Sequence, residues 1–127
     1  MSVPAKLQND LRQFQRLQQE IGLLAQQKAQ FEVKLRETNR TTEELQSLND
    51  DTPIYRSIGG LLVKASSKKE VEDKLSEEKE TLEVRLKAIE RQEGHLRERY
   101  EAMQKELTEQ IRAAGLKEVS VPPPESE

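Results

Sequence analysis

Cysteine and tryptophan are absent from the 127 residues, and only four aromatic side chains occur, Phe14, Phe31, Tyr55 and Tyr100. Without cysteine there are no disulfides, no thiolate nucleophiles and no thiolate metal ligands, a composition compatible with a reducing compartment. No apolar run approaches the roughly 18 residues that a membrane helix needs, and the opening "MSVPAKLQND" lacks the apolar segment of a signal peptide. The chain is therefore expected to be soluble and cytoplasmic, with no membrane partner. An excess of one charge is lacking as well: 21 basic and 24 acidic residues are interleaved for a net charge of -3, which leaves no basic stripe for phosphates. No nucleic-acid partner is expected.

Catalytic furniture is equally sparse. The one histidine, His95, adjoins a helical seam position, no glycine-rich phosphate loop occurs, and the acidic run Glu77, Glu78 and Glu80 has no His or Cys at ligand spacing. The sequence predicts no enzyme, no catalytic, cofactor-binding or metal-binding residue, and no cofactor.

What is present is charge, at 35% of residues, and a hydrophobic fraction of 33% made mainly of Leu, Ile and Val. Such a composition does not fill a thick core but suits long amphipathic helices. With Phe14 set at heptad position a, the a series reads Leu7, Phe14, Ile21, Lys28, Leu35, Thr42, Asn49 and the d series reads Asp10, Leu17, Leu24, Phe31, Thr38, Leu45. Eight of these thirteen are apolar, which predicts one coiled-coil helix over 4–49. In the second half Leu75, Leu82, Ile89, Leu96 and Met103 fall seven apart, with Lys79, Leu86, Glu93, Tyr100 and Leu107 as companions. A second helix over 67–114 follows, opened by Ser67 and Glu70 at capping-box spacing and closed by Arg112 and Gly115. Glu70 with Lys74, Glu83 with Lys87, Glu93 with Arg97 and Glu101 with Lys105 stand four apart, a spacing that stabilises a helix by about 0.2 to 0.5 kcal/mol per pair.

Each helix of about 45 residues would extend roughly 65 to 70 Å at 1.5 Å per residue. Neither can bury its stripe alone, and the short connection favours folding the second back along the first as an antiparallel coiled coil. Fold-back sets the two charged seam positions, Lys28 and Glu93, at the same level. Pairing there would help fix register; the plainer alternative extends the lysine amine to solvent.

Between the helices lies "TPIYRSIGGLLVKAS", residues 52–66. Two strand-forming runs joined by Gly59-Gly60 predict a β-hairpin, since glycine tolerates the positive φ that tight turns demand. Alternation puts Ile54, Ile58, Leu61 and Val63 on one face with Arg56, and Tyr55, Ser57, Leu62 and Lys64 on the other. An isolated hairpin is marginal in water, and this one has two apolar faces and two open edges. Ile54, Tyr55, Ile58, Leu61, Leu62 and Val63 are accordingly expected to form a subunit interface; the alternative, that the hairpin folds down onto the adjacent end of the coiled coil, would cover one face but leave the other face and both edges open. The remaining segment, 116–127, carries three prolines and no helical pattern, and is expected to be a disordered tail on a single domain of residues 1–127.

The helix, hairpin, helix order resembles the prefoldin β subunits of the archaeal type. Asp50, Asp51, Ile54, Tyr55, Arg56, Gly59, Leu62 and Val63 match the central family signature, and "QFQRLQQ" from Gln13 and "IERQE" from Ile89 match its flanks. Gly60 and the segment beyond Leu116 depart from the pattern. The resemblance covers about 8–114 and implies a mainly α, prefoldin-like helix-hairpin-helix fold. It also implies a hexamer of two α and four β subunits, with the hairpins forming a double β-barrel body from which coiled coils hang. The implied activity is an ATP-independent holdase that captures unfolded client proteins and passes them to a group II chaperonin, in partnership with a prefoldin α subunit and other β copies.

Apolar residues near the free end of the coil, Val3, Leu7, Leu11, Phe14, Ile111 and Leu116, are the candidate client contacts, because helix ends fray where packing exists on one side only. Ordinary coil packing is the competing explanation for Leu7, Phe14 and Ile111. Two further functional readings stay open on sequence grounds: a structural coiled-coil tether or assembly subunit that binds no unfolded chains, and a subunit of a related complex with altered duties.

Overall fold

The computed structural model describes residues 3–115; the expected tail and Leu116 lie outside the described residues. Chain order is α1 (Ala5–Gln46), β1 (Tyr55–Ile58), β2 (Leu61–Lys64) and α2 (Lys68–Ala113). Two compact units make up the chain, one from Met1–Ala29 with Ala88–Glu127 and one from Gln30–Lys87. This is an antiparallel two-helix coiled coil with a β-hairpin between its helices.

Helix starts and stops follow from local chemistry. At α1 the Pro4 carbonyl, whose residue has no N–H to leave unsatisfied, accepts the first helical bond from the Gln8 amide at 3.1 Å. The helix ends at Gln46, short of the expected residue 49, because the Ser47 hydroxyl donates to the Glu44 carbonyl at 2.7 Å and offers the backbone an alternative to the next helical turn. At α2 the Ser67 hydroxyl accepts from the Glu70 amide at 3.1 Å, while the Glu70 carboxylate reaches past Ser67 to the amide and hydroxyl of Ser66. The bonds from Ser66 and from Lys74, at 3.3 Å, hold the Glu70 carboxyl below the usual carboxylate range. Gly115 adopts φ 70° just beyond α2, the left-handed helix stop that glycine takes without Cβ strain.

In the unit that holds the chain ends, Lys6 pairs with Glu106, Phe14 with Tyr100 and Lys28 with Glu93, so positions rise along α1 as they fall along α2. Burial follows the heptads: Leu7, Phe14, Leu17, Ile21 and Leu24 on one side, and Ile89, Leu96, Tyr100, Leu107 and Ile111 on the other. The Phe14 and Tyr100 rings lie 4.6 Å apart and tilted by 31°, an aromatic contact that contributes about 0.5–1.5 kcal/mol beyond the area it buries.

The unit that holds the hairpin is packed more sparsely. Leu45, Leu82 and Leu86 are buried, whereas Leu35 and Leu75 are half-buried. Two of its seam positions on α1 are Thr38 and Thr42, whose hydroxyls donate back to the carbonyls of Lys34 and Thr38 at 2.9 and 2.8 Å. A threonine so bonded brings its polar group into the seam already satisfied. Arg85 lies 5.8 Å over the Phe31 ring, a contact of about 0.5–1 kcal/mol at an exposed site.

Lys28 and Glu93 meet at 3.3 Å with side chains only 21% and 14% exposed. The second carboxylate oxygen of Glu93 accepts no hydrogen bond and has the Arg97 guanidinium 3.9 Å away. Removing one partner from such a pair leaves a partly desolvated charge, so Lys28→Met is expected to lower unfolding free energy in urea by about 1–3 kcal/mol. The double variant Lys28→Met with Glu93→Leu should recover most of that loss, since a packed apolar pair avoids the desolvation penalty.

Candidate assembly and client-binding surfaces

The hairpin is built from two four-residue strands in the register Tyr55↔Lys64, Arg56↔Val63, Ser57↔Leu62 and Ile58↔Leu61. Cross-strand partners share a face. One face therefore carries Ile58, Leu61 and Val63 with Arg56, and the other carries Tyr55, Leu62 and Ser57 with Lys64. In the turn Gly59 has φ 58° and Gly60 is not left-handed, so positive φ falls on the first central residue alone, the pattern of a type II′ turn. Gly60 thus departs from the family pattern at a position where glycine is not required.

The Ala65 amide donates to the Ile54 carbonyl at 2.9 Å, which makes 54/65 a hydrogen-bonded pair. Bonded and non-bonded pairs alternate along an antiparallel ladder, so 56/63 and 58/61 are bonded inward. Tyr55 and Ser57 on β1, and Leu62 and Lys64 on β2, then point their backbone amides and carbonyls away from the hairpin.

Within the chain these faces remain largely uncovered: Tyr55 is 59% exposed, Ile58 52%, Leu61 70%, Leu62 74% and Val63 44%. Ile54 is half-buried. Elsewhere among the described residues the exposed large apolar side chains, Leu23, Val33, Leu48 and Val84, stand singly. Scattered apolar residues are ordinary, but five within nine residues are not.

At the end where α1 starts and α2 finishes, Leu7, Phe14 and Ile111 are buried in the seam, while Val3 and Leu11 are half-buried. Ion pairs flank this packing. Lys6 lies 3.2 Å from both Asp10 and Glu106, and the Gln110 side-chain amide donates to Asp10 at 2.8 Å. A shallow groove of about 280 Å³ runs beside them, lined among others by Gln13, Arg99, half-buried Met103 and Leu107. Heptad reading places Met103 on the seam but gives no signal for this groove, which depends on where the side chains of Lys6 and Arg99 lie. Among the described residues no group of acidic, His or Cys side chains is arranged to hold a metal ion, and no helix is long and apolar enough to cross a membrane.

A coiled-coil hairpin that presents an uncovered two-stranded sheet is the architecture of a protomer. A family model described as prefoldin subunit matches residues 8–114. The chain is 44% identical to the prefoldin subunit beta of Archaeoglobus fulgidus over 83% of its own length and 90% of that protein. It is 42% identical to the Thermococcus kodakarensis prefoldin subunit beta over 89% and 92% of the two chains. The crystal structure of the prefoldin beta subunit from Thermococcus strain KS-1 superposes with a TM-score of 0.74 at 40% identity, covering 93% of this chain and 98% of that one. The chain belongs to the prefoldin subunit family. Membership makes it a component of a multi-subunit chaperone complex, and prefoldin subunits are chaperone components rather than enzymes.

The Asp10 carboxyl is held below its ordinary range first by the Gln110 amide and then by Lys6. A carboxyl depressed in the folded state stabilises above its unfolded pKa, and that contribution is lost as pH falls through the folded value. Asp10→Asn is therefore expected to lower the thermal midpoint at neutral pH and to converge with the unaltered chain as pH is taken below about 4. Circular-dichroism melts from about pH 7 to pH 2 measure it.

Proposed function

We propose that this chain is the β-type subunit of an ATP-independent holdase of the cytoplasm. Two α and four β subunits associate through their hairpins, unfolded clients are held at the coil ends, and the complex delivers them to a group II chaperonin. The observation that carries the reading is the uneven distribution of apolar surface in a prefoldin-family chain. The helices bury their stripe, while Tyr55, Ile58, Leu61, Leu62 and Val63 stand exposed beside two unpaired strand edges. Neighbouring strands would satisfy the amides and carbonyls of Tyr55, Ser57, Leu62 and Lys64 and cover both faces.

Client contact falls to Val3, Leu7, Leu11, Phe14, Ile111 and Leu116. Val3 and Leu11 are half-available, whereas Leu7, Phe14 and Ile111 contribute only when the last turns open. Full burial of one such side chain against a client is worth about 1.5–3 kcal/mol. That alone gives millimolar binding at best, so capture depends on several coil ends acting on one client. Weak individual contacts also permit transfer.

The test has two arms. Native mass spectrometry should give a mass of two plus four chains when an α subunit is added, and Leu62→Asp should abolish it while leaving the helical signal intact. The assembled complex should suppress light scattering by a chemically denatured protein on dilution without ATP, and deletion of 1–11 and 112–127 should remove the suppression while the complex keeps two plus four chains. A tether would give the mass and no suppression. Unchanged suppression after the deletions would place client binding elsewhere.

A further inference from the structure

Lys68 opens α2, directly after the capping residue Ser67. A cation there has the wrong sign for the partial positive charge of a helix N-terminus, where acidic side chains are favoured. Nor is it a solvated surface lysine, since its side chain is only 13% exposed. Its Nζ donates to the Leu48 carbonyl at 2.9 Å and lies 3.8 Å from the Asp50 carboxylate and 3.7 Å from that of Glu72.

Leu48 stands just past the end of α1, where carbonyls have lost their intrahelical donors. One side chain thus connects the place where the chain leaves α1 to the place where it joins α2. The hairpin strands hang between those two places. On the hairpin side the ladder closes at Ile54 and Ala65, and the intervening segment consists of single turns, Ser47 to Glu44, Leu48 to Leu45 and Thr52 to Asn49. None of these turns reaches α2. The bond to Leu48 is the stronger part of the clamp, because Asp50 is almost fully exposed and an exposed pair contributes little.

We propose that Lys68 is a positioning residue for assembly: by fastening the α1 exit to the start of α2 it holds the hairpin at one angle, so that both strand edges meet their neighbours. The proposal rests on the hairpin being the assembly element. It also accounts for a basic residue where the helix itself favours an acidic one.

Amide hydrogen exchange and native mass spectrometry with an α subunit, applied to the unaltered chain, Lys68→Met and Lys68→Arg, test it. Loss of one charge-assisted bond predicts about a tenfold faster exchange at the Ser47, Leu48 and Thr52 amides in Lys68→Met, with Leu17 and Leu96 unchanged, and about a tenfold weaker complex. Lys68→Arg, which keeps a charged donor for the carbonyl, should retain both properties. Junction exchange and complex formation unaffected by Lys68→Met would overturn the proposal. So would a parallel rise in exchange at Leu17 and Leu96, which would make Lys68 a general stability residue. If the unaltered chain forms no complex, hairpin assembly itself is wrong, and exchange at the three junction amides still decides whether Lys68 is the clamp.

Discussion

Tyr100 packed on Phe14, with Leu17, Ile21, Leu96 and Leu107 beside them, is the contact on which the unit at the chain ends depends. Two helices can bury only the line of side chains between them, so there is no second layer to compensate a gap. Most of the free energy that orders α1 and α2 must come from this line, because isolated helices gain little from propensity alone. The same geometry leaves the outer faces to charge, which explains a sequence with as many charged as hydrophobic residues. It also gives the polar seam positions unusual weight. Lys28 and Glu93 add little net stability as a pair, yet a slip of one layer would strand both charges in the seam. Their contribution is to register.

The hairpin obeys the opposite rule. Its strands are four residues each, and both faces retain exposed apolar side chains. A short strand with Arg56 on one face and Lys64 on the other limits how far an edge can propagate into nonspecific pairing. Under the proposed assembly those two cations would make the surface selective: a neighbour would have to supply strand hydrogen bonds and also accommodate a positive charge on each face. In that assembly apolar area would supply the drive to associate, and charge and strand length would restrict the choice of neighbour.

Much of this was legible in the sequence, and the exceptions share a physical cause. Heptads located Leu7 through Leu45 on α1 and Leu82 through Leu107 on α2 because a seam repeats, and repetition survives local noise. Gly59-Gly60 between β-branched runs located the hairpin because the turn requires a left-handed residue. The family signature at Ile54, Tyr55, Arg56 and Gly59 agreed with both. What the pattern missed depends on one side chain choosing between nearby partners. Glu70 bonds Ser66 instead of closing the box on Ser67, the Ser47 hydroxyl shortens α1, and Lys68 turns to Leu48. Spacing cannot rank such alternatives, since each differs by about the free energy of one hydrogen bond. The candidate client residues were the least legible, because a heptad assigns Leu7, Phe14 and Ile111 to the seam whether or not the coil end opens.

That last ambiguity has a physical form. A side chain cannot be both fully packed in a coil and fully available to a client, so the proposed binding at the coil end would draw on the opening equilibrium of its last turns. Lys6, Asp10, Glu106 and Gln110 bear on that equilibrium directly, since their bonds tie the start of α1 to the end of α2, with Lys6 and Glu106 exposed and Asp10 and Gln110 half-buried. Polar ties of this kind add only a small margin to the closure that buried Leu7, Leu107 and Ile111 supply at this end. Under the proposed function, a client that binds here must replace that packing with its own contacts, and the packing re-forms when the client leaves.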